Sequence, residues 1–480
     1  MTGFDAATAA VEAALAAGAR HADARAMYRQ QESMSARNGD VEDLAASEDE
    51  GVGVRALVGS SWGFFAVPDL TEAAARDAGR RAAEIAAASA MVAGRPLDLV
   101  PIEVREDTWA SDCEIDPLSV PLADKGDLLV SVTTTMRDEG ADIAEASYAI
   151  WDTRKWFVSS EGHRIEQHVR ECGADMTATA VGDGETQRRS YPNAFGDYGC
   201  RGWELVESFD LPAHAPRIAQ EAKELLTAPQ CPEGVTTLVL GGDQVALQIH
   251  ESVGHAIELD RILGWEAAFA GTSWLELAKL GSLRYGSEVM NITADPTLPG
   301  ALGSFGYDDE GTPAARRDIV RDGTWVGVLA GRDSAPLAGL DYGGSVRAEG
   351  WHRLPMVRMT NVGLLPGANS LDEMIASTDD GILMETNRSW SIDDRRLNFQ
   401  FGCEIGWEIK DGSRVRMVRN PTYTGIGPIF WRSMDMVGNE SEWRFWGLPN
   451  CGKGQPGQVG HTGHPAVPCR FTNVRVGVRG

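Results

Sequence analysis

Apolar residues recur along this chain at two spacings, every third or fourth position and every second. The switches between them divide it into three blocks. In residues 1–115, segment 5–17 reads as an alanine-rich amphipathic helix, and short alternating runs follow at 24–29, 33–37, 53–58 and, after the Gly59-Ser60-Ser61 turn, 62–67. Segment 70–92 is the clearest helix, with Thr71 as its N-cap and Gly94-Arg95-Pro96 as its end, and a proline-containing link runs to about residue 115. Residues 116–230 repeat the mixture: helix at 123–136, strands near 145–151, 154–160, 164–170, 174–181 and 186–191, a Gly182-Asp183-Gly184 turn between the last two, and helix at 215–226. Ala228-Pro229-Gln230-Cys231-Pro232 reads as a domain boundary.

Residues 231–480 are mostly strand and turn. Phe399, Phe401, Cys403, Ile405, Trp407 and Ile409 alternate with smaller or polar residues into Asp411-Gly412, and Val415 and Met417 continue the period, predicting a half-buried hairpin. Asp322-Gly323 marks another hairpin, and Val474, Val476 and Val478 predict an outer strand. The pattern predicts an α+β protein: two α/β subdomains, 1–115 and 116–230, and a β-rich domain over 231–480.

Composition narrows the function classes. Lysine plus arginine number 44 against 70 aspartates and glutamates, a net charge of −26. That field repels phosphate, so neither nucleic acid nor an anionic membrane is an expected partner. No run of about 18 apolar residues predicts a membrane span, and the N-terminal helix is acidic, unlike an export signal. Seven cysteines, scattered singly, predict free thiols in a reducing, cytoplasmic setting. Fifty-four glycines favour many tight turns and antiparallel sheet.

The chemistry concentrates in His250-Glu251-Ser252-Val253-Gly254-His255. Two imidazoles with a carboxylate beside the first are common zinc ligands with a general base at hand, which predicts metal-assisted hydrolysis. Strand 236–240 and the turn Gly241-Gly242-Asp243, with Asp243 as cap, start a helix on which Val245, Ile249 and Val253 form an apolar face. The spacing is one residue longer than H-E-x-x-H. On an ideal helix residues five apart are separated by about 140°, too far round for one ion. Either a π-bulge brings them together, or the helix ends near Gly254 and His255 swings back; a glycine there suits both, because it tolerates unusual backbone angles.

A third ligand is required, and Glu258, Asp260, Cys403, Cys451 and Cys469 are candidates. Cys451 stands out within the glycine-rich Asn450-Cys451-Gly452-Lys453-Gly454-Gln455-Pro456, where a neighbouring lysine favours thiolate. His461 and His464 form a further pair in a Gly/Pro-rich loop, read more readily as ordinary histidines than as ligands.

HESVGHAIELDR after GGDQVALQ, FGYDDEGTPA (305–314), LPMVRMTN (354–361), NCGKGQPGQ, the closing NVRVG and the early GVGVRALVGSSWGFF together resemble the TldD/PmbA family of peptidases, in the family's order and over nearly the whole chain. The resemblance implies that His250, His255 and Cys451 hold Zn²⁺ and that Glu251 is the general base. It implies a C-terminal domain built on a curled, barrel-like antiparallel sheet. Members act in the cytoplasm on small or unfolded peptides, including leader removal from modified ribosomal peptides. The implied assembly is a homodimer or a heterodimer with a PmbA/TldE-like paralogue. Two alternatives compete: a non-catalytic structural partner subunit, which would lack the histidine pair, and a Cys451 nucleophile with a histidine base. GQVGHTGHPAVPCRF, with His461, His464 and Cys469, departs from the family pattern.

Overall fold

The computed structural model describes residues 2–92, 96–182 and 184–477; the expected turns at Gly94-Arg95 and Asp183 and the end of the last strand at Val478 lie outside the described residues. The first two blocks share one eight-stranded sheet. It comprises β1 (His21–Arg37), β2 (Asp40–Val58), β3 (Ser61–Val67), β4 (Glu106–Ala110), β5 (Ile143–Ser159), β6 (Arg164–Gly182), β7 (Glu185–Tyr191) and β8 (Asp197–Gly199). Its order is β3-β2-β1-β5-β6-β4, with β7 and β8 also on β6, and all pairings are antiparallel except β4 with β6. Where alternation predicts separate runs, β1, β5 and β6 are each one continuous strand. The apparent breaks fall at 30–32, 152–153 and 171–173, where polar or glycine residues interrupt the alternation within a continuous strand. Strand β4 falls in the stretch expected to be a link, because its EDTWA sequence is mostly exposed and carries no alternation.

The two faces of this sheet differ. One carries Ala22, Ala24, Ala26, Val52, Val54 and Ala56 against α1 (Gly3–Ala16) and α2 (Glu72–Ala90), and Ala144, Ala146, Ile150, Ala174 and Ala178 against α3 (Leu122–Asp138) and α5 (Leu211–Thr227), with the short α4 (Glu204–Ser208) at the edge. Small residues let the backbones approach closely: a Cβ on Gly79 of α2 would overlap the Ala10 carbonyl of α1. Thr71 caps α2, its Oγ1 accepting from Ala74 N at 3.4 Å.

The opposite face carries Asp23, Arg25, Arg29, Arg55, Lys155 and Gln167 and lies on the C-terminal domain. Arg25 Nη1 and Lys155 Nζ grip Asp309 at 3.0 and 2.5 Å, and Arg55 bridges Asp23 at 2.7 Å and Glu310 at 3.1 Å. The FGYDDEG segment is thus the clamp between the blocks. Gln167 completes it, accepting from Gly306 N and Tyr307 N and donating to the Tyr307 carbonyl.

The C-terminal domain comprises β9 (Gly234–Leu240), α6 (Gly242–Ile249), α7 (Leu259–Ile262), β10 (Ile292–Ala294), β11 (Arg317–Arg321), β12 (Thr324–Trp325), β13 (Val346–Arg347), β14 (Met356–Val357), β15 (Val362–Leu364), α8 (Leu371–Ala376), β16 (Asp380–Ile392), β17 (Asn398–Lys410), β18 (Ser413–Val418), β19 (Thr422–Ile426), α9 (Gly427–Arg432), β20 (Met434–Val437), β21 (Arg444–Lys453), β22 (Gln458–Ala466) and β23 (Cys469–Val476). Strands β16-β9-β23-β19-β17 close on themselves through β16–β17, so the curled sheet is a five-stranded barrel, and the α+β class holds. The β17–β18 and β11–β12 hairpins form at the expected Asp-Gly turns. Strand β23 is not an outer strand: it sits between β9 and β19, and its Val474 and Val476 belong to the buried core. Its intervening Arg475 misled the reading, since one barrel face is wet. Phe399, Phe401, Tyr423, Phe430 and Phe471 pack as a ring cluster, Phe430 stacking on Phe471 at 4.1 Å, and they share one core with Val245 and Ile249 of α6. That core holds the site helix in place. Among the described residues no helix is long and apolar enough to cross a membrane.

Candidate metal centre

Strand β9 delivers the chain into α6 at Gly241, which is the N-cap; Asp243 lies in the first turn and accepts from Gln244 N at 2.8 Å instead of capping. Along α6 and into the turn that follows, a polar row at every fourth residue is linked by hydrogen bonds, with Gln244 Oε1 alone of its side-chain groups left without a partner. Gln244 Nε2 donates to Tyr423 at 2.8 Å, Tyr423 donates to Gln248 Oε1 at 2.9 Å, and Gln248 Nε2 donates to Ser252 Oγ at 3.0 Å. Trp431 Nε1 also donates to Ser252 Oγ at 2.9 Å, and the Tyr285 hydroxyl donates to the Ser252 carbonyl at 2.6 Å. Buried polar groups so paired hold the local backbone to one geometry.

That geometry is a π turn over His250–Gly254, closed by His255 N donating to the His250 carbonyl at 3.2 Å. Of the two ways to bring the histidines together, the chain uses the bulge. The rings end 4.9 Å apart, centroid to centroid. Gly254 serves by its size and not by its backbone angles, for a Cβ there would overlap the Met359 sulfur. Hairpin β21–β22 brings Cys451 to the same place: its Sγ lies 3.8 Å from His255 Nε2, and the candidate ligand atoms of His250, His255 and Cys451 all fall within 4.8 Å of one another. All three residues are buried.

Each imidazole has a partner that sets its tautomer. His464 Nδ1 lies 2.9 Å from the Val362 carbonyl, which can only accept, so its Nε2 is the bare nitrogen. That Nε2 faces His250 Nδ1 at 2.8 Å, which places a proton on His250 Nδ1 and leaves His250 Nε2 free. His255 Nδ1 donates to Glu258 Oε2 at 3.0 Å, leaving its Nε2 free beside Cys451. Burial lowers the pKa of His250, His255 and His464, so all three are neutral near pH 7. Burial alone would raise the Glu258 carboxyl, but Lys453, His255 and Arg261 outweigh it and hold it well below the carboxylate range. Burial likewise opposes ionisation of Cys451, yet His255 and Arg358 bring its thiol below the ordinary value. The Glu251 carboxylate, from the residue after His250, is gripped through Oε2 by Arg396 Nη1 at 2.6 Å.

The sequence matches the PmbA/TldA metallopeptidase family in three parts: domain 1 over residues 22–88, the central domain over 115–228 and the C-terminal domain over 233–477. The chain belongs to the PmbA/TldD metallopeptidase family. It is 28% identical to a metalloprotease of Methanocaldococcus jannaschii over 92% of this chain and 94% of that one. It is 21% identical to a zinc metalloprotease TldD homolog of Saccharolobus solfataricus, over 82% and 83%. Its fold is shared with a Thermotoga maritima protein described as a modulator of DNA gyrase, at TM-score 0.76, 17% identity and 95% and 96% coverage. TldE of Thermococcus kodakarensis gives 0.74, 14%, and 98% and 99%.

Among the residues singled out in this PmbA/TldD chain, the structure brings His250, His255 and Cys451 together, while Glu251, next to His250 in the same turn, is held by Arg396. The other third-ligand candidates go elsewhere. Glu258 orients His255, Asp260 pairs with Lys453 Nζ at 2.9 Å, and Cys403 and Cys469 are buried in barrel strands with their thiols pushed up by burial. Lys453 therefore does not act on the Cys451 thiol as its neighbouring position suggested; it is spent on Glu258 and Asp260. His461 bonds Glu171 Oε2 at 2.9 Å, outside the cluster. Sequence reasoning missed Arg396, Arg358 and the part played by His464. The His255-x-x-Glu258 spacing was a readable signal for one orienting contact; nothing local marks the other three.

Proposed function

We propose that His250, His255 and Cys451 hold a Zn²⁺ ion and that the chain is a peptidase for small or unfolded peptides, with Glu251 as general base. The observation that carries this is the convergence of three donor atoms within 4.8 Å, produced by a π turn and a distant hairpin. The donor set fits the ion. Zinc–ligand legs of about 2.3 Å to sulfur and 2.0 Å to nitrogen at a tetrahedral angle would separate S and N by about 3.5 Å, against 3.8 Å between Cys451 Sγ and His255 Nε2. Two neutral imidazoles with their Nε2 atoms free and a thiol of lowered pKa present the protonation states a metal requires. A bound zinc ion supplies Lewis acidity towards water and a carbonyl oxygen.

The protein's own groups do the proton work. Arg396 fixes Glu251 through Oε2, so Oε1 takes the proton from the attacking water and the carboxyl returns it to the departing amine. Unfolded peptide bound by main-chain pairing gains affinity without sequence preference. The TldE fold supports an assembly with a second copy or a related paralogue, and the free thiols suit a cytoplasmic setting. Metal analysis with peptide cleavage tests the reading: His250→Ala loses both, and Glu251→Gln keeps zinc and loses turnover. A fully active Glu251→Gln enzyme would end it.

A further inference from the structure

Between the charged face of the N-terminal sheet and the C-terminal domain lies a cavity of about 290 Å³. Arg29, Arg347 and Arg358 line it, with Trp151 and Phe305 among its apolar walls. None of the three guanidinium groups forms an ion pair among the described residues. Arg358 is buried; its Nη1 and Nη2 donate to the carbonyls of Gln458 and Cys451, and its Nε has no partner. Arg347 Nη2 donates to the carbonyls of Met359 and His461, its Nε is also unpartnered, and its guanidinium sits 5.7 Å from the Phe305 centroid. Arg29 Nε reaches only the Thr153 hydroxyl, at 2.9 Å.

Carbonyls and hydroxyls satisfy hydrogen bonds but neutralise no charge. Burial and the adjacent Arg358 push the Arg347 guanidinium down to about 10, and Glu171 and Asp309 across the cavity offset this only in part. The carboxylates in the same wall are engaged elsewhere. Asp309 is taken by Arg25 and Lys155, Glu171 accepts from His461 Nδ1 at 2.9 Å, and Glu349 accepts from Val459 N at 2.9 Å. An uncompensated buried cation is costly, and an arriving anion relieves that cost. The three carboxylates disfavour a dianion such as phosphate, whereas the aromatic walls suit an apolar body carrying one negative charge.

We propose that this cavity receives the free C-terminal carboxylate of a peptide, held by Arg347 and Arg358, with the terminal side chain against Trp151 and Phe305. The placement ties it to the metal centre: Gly460, which lines the cavity, pairs with Cys451, and Arg358 holds the Cys451 carbonyl. Resting on the peptidase reading, the assignment makes this an enzyme that cuts near the carboxyl end of short peptides and passes over chains whose end cannot enter.

Binding of one peptide as its free acid and as its C-terminal amide to the zinc-loaded Glu251→Gln chain, followed by calorimetry, tests the assignment without cleavage. A third peptide, with an amidated end and one glutamate, separates a terminal from a side-chain carboxylate. The free acid binds roughly ten- to hundredfold tighter than either amide, the range expected for hydrogen bonds to a charged group. Arg347→Gln collapses that ratio towards one, and Arg347→Lys restores part of it. Equal binding of acid and amide by the Glu251→Gln chain overturns the proposal, as does binding that follows the glutamate. If wild type cleaves no peptide while the acid preference persists, the peptidase reading falls and the cavity assignment stands.

Discussion

Replacing His464 by leucine isolates the outer contact on His250. The residue is fully buried and donates nothing to the cluster; its Nε2 accepts from His250 Nδ1 at 2.8 Å, with Thr462 Oγ1 3.2 Å from the same nitrogen, while Nδ1 is anchored on Val362. Leucine is close in volume, so packing changes little, but the His250 N–H loses its acceptor in a dry site. An unpaired buried donor costs about 1–3 kcal/mol. Part of that is recovered if the ring turns, and turning takes Nε2 away from the other donors. Either way the loss falls on metal affinity: about 1.4–2.8 kcal/mol corresponds to the ten- to hundredfold weakening common for such outer contacts. Competition against a chromophoric chelator measures it, with metal-free thermal unfolding run in parallel to separate stability from binding. His464→Gln, which keeps an acceptor for His250, recovers much of the affinity. A leucine variant that unfolds like wild type without metal and binds zinc equally tightly refutes the tautomer argument.

The other expectations are simpler. Glu251→Gln lowers turnover by about 10²–10⁴, the share of a general base, with zinc content unchanged by elemental analysis. Gly254→Ala forces a methyl into the Met359 sulfur and costs about 1–3 kcal/mol in urea unfolding; adding Met359→Ala restores most of it, and additive losses would contradict the contact. Burial would raise the Asp309 carboxyl, but Lys155 and Arg25 bring it to about 2 when folded, against a usual 3.8. Its contribution, about 2 kcal/mol, is therefore complete above about pH 4 and lost as pH falls towards 2. In acid titrations of stability Asp309→Asn loses that part of the slope, and an unchanged slope would show that the clamp contributes nothing.

Where one face of an element is dry, the sequence was readable. The strand from Phe399 to Ile409 and the α2 helix with its Thr71 cap fall where expected, but β17 is buried on both faces, Glu404 and Glu408 included, and is not half-buried as its alternation predicts. Strand β2 was legible only from Gly53: its first half, 40–50, is exposed on both faces, so its residues carry no period. Around the candidate metal centre the local pattern singled out His250, Glu251 and His255 but left the bulge and the swung-back end equally open. What decided it was distant: Trp431, Tyr285 and Met359, each from a different segment, hold the turn. His464 and Arg396 meet the site only through the fold, and no one-dimensional spacing announces such a meeting.

The place of β23 bears on how the protein is made. Strand β9, from which the site helix grows, is flanked by β16 and β23, both synthesised long after it. At ribosomal speeds of about 5–20 residues per second, roughly ten seconds or more pass between emergence of His250 and of Cys451. During that interval the nascent chain owns two of its three donors and an open barrel. On the proposed reading, a peptide-cutting site assembled in this order would stay harmless until its own translation is nearly finished.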